Sequence, residues 1–309
     1  MIERNFLRQL QQQMPVRPPV QTGIGDDGAV LDCSGQTQQI VVTDMLLDRV
    51  HFDLTTDSAR LVGRKAVAVN LSDLAAMACW PTAAFVSIAV PKSLANASDF
   101  LTELYDGMTE LADRYHFTIA GGDTNSWDGP FAINVCLTGV PFAANATLRS
   151  GATPGDALLV TGALGGSLAS RRHLTFEPAL ETSKWLMENL TVHAMLDISD
   201  GLSIDLHRML EASQVGAILE ADAIPVHPDL TAREPGANLL NRALSDGEDF
   251  ELLLAVPQTS LRTPERILLA AGRPLHRIGT VTNDATERQL RFKDGTMQPL
   301  VESGWQHRC

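Results

Sequence analysis

An α/β fold in two domains is what this sequence predicts, and three observations predict it. Strand-like and helix-like segments alternate along the chain, as in sheets covered by helices. The length of 309 residues corresponds to roughly two domains at about 150 residues each. Near the middle, a stretch of turn formers from Pro141 to Asp156 interrupts the alternation.

Each element follows in order. Ile40-Val41-Val42-Thr43 is short and β-branched and reads as a strand. Residues 57–79, rich in Ala, Val and Leu, read as a helix. Ala83 to Val90 reads as a strand. Residues 97–115 read as an amphipathic helix with Leu101, Leu104, Met108 and Leu111 on one face. Strands follow near Phe117-Thr118-Ile119 and from Phe131 to Val140. The break collects Asn145, Ser150, Gly151, Pro154 and Gly155, and the domains are expected to be 1–143 and 144–309. Ala157 to Thr161 restarts the pattern as a strand. Helices are expected near 165–174, 178–190 and 201–213. Strands are expected near 193–198, 216–221, 250–256, 275–282 and 288–293. Each half is thus an α/β or α+β sandwich.

Composition excludes several functions. Hydrophobic residues are 44% and charged residues 20%, enough for a sizeable core in each half. A net charge of −13 with only four lysines argues against a nucleic acid or an anionic membrane as partner. The cysteines Cys33, Cys79, Cys136 and Cys309 have no zinc or redox spacing and suggest a reducing compartment. No apolar run approaches the ~18–20 residues of a membrane span, and the N-terminus lacks a signal-peptide core. A cytoplasmic protein is expected.

The aspartates carry the chemistry. Asp26 and Asp27 precede a strand, and Thr43-Asp44 is read as ending one. Gly121-Gly122-Asp123-Thr124 is read as ending another. Asp197-Ile198-Ser199-Asp200 joins a strand to a helix. Asn70 and Asp73, three apart, share a helix face. Gathered carboxylates repel, and desolvation worsens the repulsion, so such a site needs cations. Carboxylate and hydroxyl ligands suit magnesium, calcium or manganese. Magnesium bridging carboxylates to phosphates is the arrangement of phosphoryl transfer. Asp26, Asp246 and Asp249 are assigned to turns and caps instead. Gly162 to Ser167 reads as a strand-to-helix turn, and no Walker-type phosphate loop is present.

Taken in order, the segments resemble the motif series of the thiamine-monophosphate kinase family. The matches include Gly23-Ile-Gly-Asp-Asp27, Val42-Thr-Asp44, Val50-His51-Phe52 and Lys65 to Met77. They continue with Gly121-Gly-Asp123-Thr124, Arg149 to Asp156, Val160-Thr-Gly162, Asp197-Ile-Ser-Asp200-Gly-Leu202 and Gly247-Glu-Asp249-Phe-Glu251-Leu252. Each motif is weak alone; the ordered set, from about residue 20 to Trp305, is specific.

The resemblance implies the fold shared with aminoimidazole ribonucleotide synthetase. Residues 1–143 would be a metal- and ATP-binding dimerisation domain, two of which pair into a barrel. Residues 144–309 would form an α/β sandwich, with ATP in a cleft involving the homodimer interface. Asp27, Asp44, Asp73, Asp123, Asp197 and Asp200 would be ligands of several magnesium ions, assisted by Thr43. Asp123 and Asp200 would serve the transfer itself. Gly122, Asp123, Arg149 and Ser199 would contact ATP. His51, Glu248 and Trp305 would line the thiamine-phosphate site. The acceptor is a phosphate monoester, already anionic near neutral pH, so no strong base is required.

Some positions depart from the family pattern: Pro178-Ala179 stands where relatives usually carry Pro-Arg, Asp246 replaces a Gly, and Ala78 replaces a common Gly. Two other readings fit the residues. One is a non-catalytic sensor of magnesium-nucleotide. The other is a related ATP-dependent activating enzyme, such as a hydrogenase maturation factor, whose relatives end in a reactive Cys as this chain ends in Cys309.

Overall fold

A computed structural model describes residues 18–23, 25–33, 38–233, 238–261 and 274–306. The first half builds a six-stranded sheet from β1 (Val20–Thr22), β2 (Ala29–Asp32), β3 (Gln38–Leu47), β4 (Cys79–Pro91), β5 (Thr118–Trp127) and β6 (Ala132–Pro141). Its order is β1-β2-β3-β6-β4-β5. All neighbours are antiparallel except β4 and β5, which run parallel. Parallel neighbours need a crossover. Helix α2 (Ala97–Tyr115), whose buried stripe is Leu104, Met108, Leu111 and Ala112, supplies it.

Helix α1 (Ala59–Ala76) is the centre of the molecule. Ser58 caps its N-terminus by accepting the Leu61 amide at 3.4 Å. Its apolar residues lie on every side, and it is buried nearly throughout, as expected for a helix with no solvent face. Two glycines let α1 and α2 touch backbone to backbone. A Cβ on Gly63 would stand 1.9 Å from the Leu104 carbonyl oxygen, and one on Gly107 would stand 1.9 Å from that of Arg60. After the helix, Ala78 adopts φ 55°, a left-handed conformation that favours glycine.

The second half holds a seven-stranded sheet of order β13-β12-β9-β11-β7-β10-β8. The strands are β7 (Ala157–Val160), β8 (Ala194–Asp197), β9 (Gly216–Glu220), β10 (Leu252–Val256), β11 (His276–Thr282), β12 (Arg288–Arg291) and β13 (Met297–Pro299). Its helices are α3 (Ser167–Ser170), α4 (Leu180–Asn189), α5 (Leu202–Ser213), α6 (Pro228–Arg233) and α7 (Leu239–Ser245). The two halves share one seam. Ser72 on α1 donates to Asp197 at the end of β8 at 2.6 Å, and Ser183 on α4 donates to the Ala75 carbonyl at 2.6 Å. No described helix is long and apolar enough to cross a membrane.

Two readings of local structure change. Thr43-Asp44 and Gly121-Gly122-Asp123-Thr124 do not end strands. They lie inside β3 and β5, because Met45–Leu47 continue the ladder with Ala132–Asn134 and Asn125–Trp127 continue it beside β4. Turn-forming residues are tolerated there because β5 is an edge strand.

Candidate metal and phosphate site

Alternation along β3 decides where its polar residues go. Val42, Asp44 and Leu46 face inward toward α1, whereas Thr43 and Met45 face outward. Asp44 therefore meets Asp73, which α1 carries near its C-terminal end. The turn before β2 brings Asp27, and the end of β8 brings Asp197. Carboxylate oxygens of Asp27, Asp73 and Asp197 lie within 4.8 Å of one another. Asp44 hydrogen-bonds Asp73, and Asp200 is close enough to raise its pKa.

The cluster is electrostatically unstable as bare protein. Burial pushes the Asp44 carboxyl up to about 6; its bond with Asp73 opposes this, and the charges of Glu248, Asp200 and Asp27 add to it. Burial, then Asp44, Asp197 and Asp27, hold Asp73 well above the usual carboxylate range. Burial and Asp27 do the same to Asp197, against the Ser72 hydrogen bond. Asp26 rises to about 6 through burial and its neighbour Asp27. One carboxylate oxygen of Asp27 is buried without a hydrogen-bond partner, as is the side-chain oxygen of Asn70. An all-oxygen donor set with an orphaned buried carboxylate oxygen fits a hard divalent cation such as magnesium.

Two arginines border the cluster. Arg149 pairs with Asp27 and approaches Asp26 at 3.8 Å, while its backbone amide donates to Asp26 at 3.3 Å. Arg208 pairs with Asp200 at 2.7 Å and with Asp205 at 2.6 Å. The Asp205 carboxylate also accepts the amides of Asp200 at 3.0 Å and Gly201 at 3.1 Å, which anchors the loop entering α5. Asp205 and Arg208 went unnoticed in the sequence, although their spacing of three on a helix is the available signal.

A cavity of about 530 Å³ opens from the cluster. Asp44, Asp73, Asp197, Ser199 and Asp200 line it together with His51, Glu248 and Trp305. All three expected acceptor-site residues line this one cavity. Trp305 is 48% exposed, and its amide donates to the Asp200 carbonyl at 2.8 Å. Gly247 allows the loop before β10 to press on the Ser199 backbone, where a Cβ would meet the Ser199 oxygen at 2.8 Å. Asp246 and Asp249 accept the amides of Gly166 and Gly165, at 2.9 and 2.8 Å, at the start of α3. Both aspartates thus hold the turn that leads into α3, and Asp246 also lines the cavity.

Three expected ligands or contacts stand apart. Thr43 faces outward and bonds Asn134, whose amide reaches its hydroxyl at 3.1 Å. Asp123 pairs in register with outward-facing Ser87, and its carboxylate accepts the Thr124 amide at 2.9 Å and the Asn125 side chain at 2.8 Å. Gly122 shares a row with Asp44 but lies three strands away, about 14 Å at ordinary strand spacing. Cys309 lies outside the described residues.

Comparison with known proteins agrees with this architecture. A family model for the AIR synthase related protein, N-terminal domain, matches residues 25–141, and one for the C-terminal domain matches 153–290. The thiamine-monophosphate kinase of Rhodopirellula baltica is 42% identical over 293 residues, covering 91% of this chain and 89% of the relative. That of Bacillus subtilis is 33% identical over 309 residues, covering 93% and 94%. Among solved structures, AaThiL complexed with AMPPCP and TMP superposes with a TM-score of 0.82 at 26% identity, covering 99% of this chain and 96% of that one. The HypE-HypF complex shares the fold, with a TM-score of 0.72 at 17% identity over 97% of this chain and 99% of that one.

Proposed function

The chain belongs to the thiamine-monophosphate kinase family, and from that membership we propose that it transfers the terminal phosphoryl group of ATP to thiamine monophosphate, giving ADP and thiamine diphosphate. The observation that carries this reading is the gathering of Asp27, Asp44, Asp73 and Asp197, three of which line one cavity with His51, Glu248 and Trp305.

Asp27, Asp44, Asp73, Asp197 and Asp200 would hold several magnesium ions. Such ions, when bound, screen the repulsion between two phosphate-bearing substrates and absorb charge on the transferring group. The remaining work falls to the chain itself. Arg149 and Ser199 border the cluster and would contact the nucleotide phosphates. Arg208 and Asp205 fix the Asp200 loop, so its carboxylate is aimed before substrates arrive. Trp305, half exposed at the cavity, would stack on a ring of the cationic thiamine. The acceptor phosphate is already an anion, so transfer is direct and in line, without a base or a phospho-enzyme.

Residues 1–143 would also form a homodimer. The outward face of the first sheet exposes Met45 and Phe85, by 60% and 46%, and carries Thr43 and Asp123. A second copy packed there would bring the Gly122-Asp123 segment toward a nucleotide that the first copy holds. Sedimentation should give a dimer at micromolar concentration; a fully active monomer would contradict the shared cleft.

The functional reading is tested by chromatography of thiamine species after incubation with ATP and magnesium. Thiamine diphosphate and ADP should appear in equal amounts from thiamine monophosphate. Free thiamine should be a poor acceptor, since its alcohol needs deprotonation and lacks a phosphate for the metal site. Tight ATP binding without thiamine diphosphate would favour a nucleotide sensor instead.

A further inference from the structure

Lys65 is the largest fully buried side chain in the described residues, and nothing in the transfer chemistry uses it. It stands on α1, and an unpaired ammonium there would be severely penalised. Three groups from three segments meet it. The His51 carbonyl accepts from its ammonium at 2.6 Å, His173 Nδ1 lies 2.9 Å away, and the Glu248 carboxylate forms a close ion pair with it. His173 Nδ1 also lies 3.2 Å from Glu248. The loop carrying Glu248 is itself strained: Glu248 has φ 65° and Phe250 has φ 52°, both left-handed non-glycine residues. The Glu248 amide donates to the Ser199 carbonyl at 2.6 Å, which ties this loop to the Asp197–Asp200 segment.

We infer that Lys65 and His173 are positioning residues for the acceptor pocket, holding Glu248 and the His51 segment in the geometry that receives the thiamine moiety. The inference rests on the proposed function for the identity of the ligand. Glu248 is the group the pair acts through, because it alone both contacts them and lines the cavity with an acidic oxygen. Burial alone would push the Glu248 carboxyl up, but the His173 hydrogen bond and the Lys65 charge outweigh burial and keep it ionised. A fixed carboxylate in that position suits a cationic or N–H-bearing heteroaromatic ring. On the proposed function the anionic ATP phosphates would be bound through the aspartate cluster, so loss of Lys65 should discriminate between the two substrates.

The test is a panel of four variants: Lys65→Met, His173→Gln, Glu248→Gln and the Lys65→Met/Glu248→Gln double. Dissociation constants for thiamine monophosphate and for a non-hydrolysable ATP analogue are measured by calorimetry, alongside turnover. Lys65→Met and Glu248→Gln should each weaken thiamine monophosphate binding by about tenfold or more, with the ATP analogue changed little. His173→Gln should show a smaller loss in the same constant. The double variant should bind no worse than the weaker single, since both changes act through one carboxylate. Losses that multiply in the double variant, or that fall equally on both ligands, would overturn the inference. Lys65→Met leaves Glu248 buried without its cation, so it can fail to fold. The decision then rests on the double variant, which removes both charges: affinity equal to that of Glu248→Gln supports the inference, and a further loss overturns it. Wild-type protein that binds thiamine monophosphate without phosphorylating it would sink the functional reading while leaving this inference intact. Wild-type protein that does not bind it would sink both.

Discussion

Asp73→Asn is expected to reduce turnover by about 10³-fold or more at saturating substrates, with the fold retained, because on the proposed function it removes a cation ligand. Asp73 is the best-connected carboxylate of the cluster. It hydrogen-bonds Asp44, lies within 4.8 Å of Asp27 and Asp197, and stands on the most buried helix of the molecule. The amide is nearly isosteric, so packing is preserved and the loss reports charge and ligation. Asp44→Asn should behave similarly. Steady-state kinetics over a range of magnesium concentrations checks both. Near-normal turnover of both variants at low magnesium would remove the carboxylate cluster from the mechanism.

The same substitution should act in the opposite direction on metal-free stability. Carboxyls raised in the folded state favour folding fully below their unfolded pKa, near 3.8, and lose that contribution as pH rises through the folded value. For Asp44 and Asp26 the loss runs from about 3.8 to about 6, and for Asp73 and Asp197 it extends higher. Metal-free wild type should therefore be more stable at about pH 5 than at about pH 8. Glu248, held below its usual value, opposes this trend only at more acidic pH. Asp73→Asn should raise metal-free stability at about pH 8 by on the order of 1–3 kcal/mol and flatten the pH dependence. Urea denaturation in a chelator at both pH values measures this. Added magnesium should reverse the ranking, since binding to the folded state stabilises wild type more. A variant less stable than wild type at pH 8 without metal would mean that the aspartates are not under mutual strain.

The long periodic elements were legible because their periodicity is local. Leu104, Met108 and Leu111 describe α2 without knowledge of its partner. Strand pairing is not local, and so Thr43-Asp44 reads as an end when it is the middle of β3. The short elements β1, β13, α6 and α7 have too few residues for a period to emerge. The same distinction holds at the site. Acids at strand ends and in turns, such as Asp197 and Asp27, were legible individually, and the cation requirement follows from their number. Which of them meet is a property of the fold: β3 alternation turns Asp44 inward and Thr43 outward, and strand order sets Asp123 apart. Lys65 opens a matched motif and Arg208 stands three residues after Asp205, but the sequence does not say what either one meets. Their importance lies in partners from distant segments.

If the buried aspartates hold the catalytic cations, manganese binding followed by electron paramagnetic resonance will report it. Protein, non-hydrolysable ATP analogue and thiamine monophosphate are titrated with manganese, for wild type and for Asp73→Asn. Wild type should hold more than one tightly bound ion per chain, and the variant should lose at least one. Equal numbers of bound ions in the two proteins, at equal affinity, would contradict it.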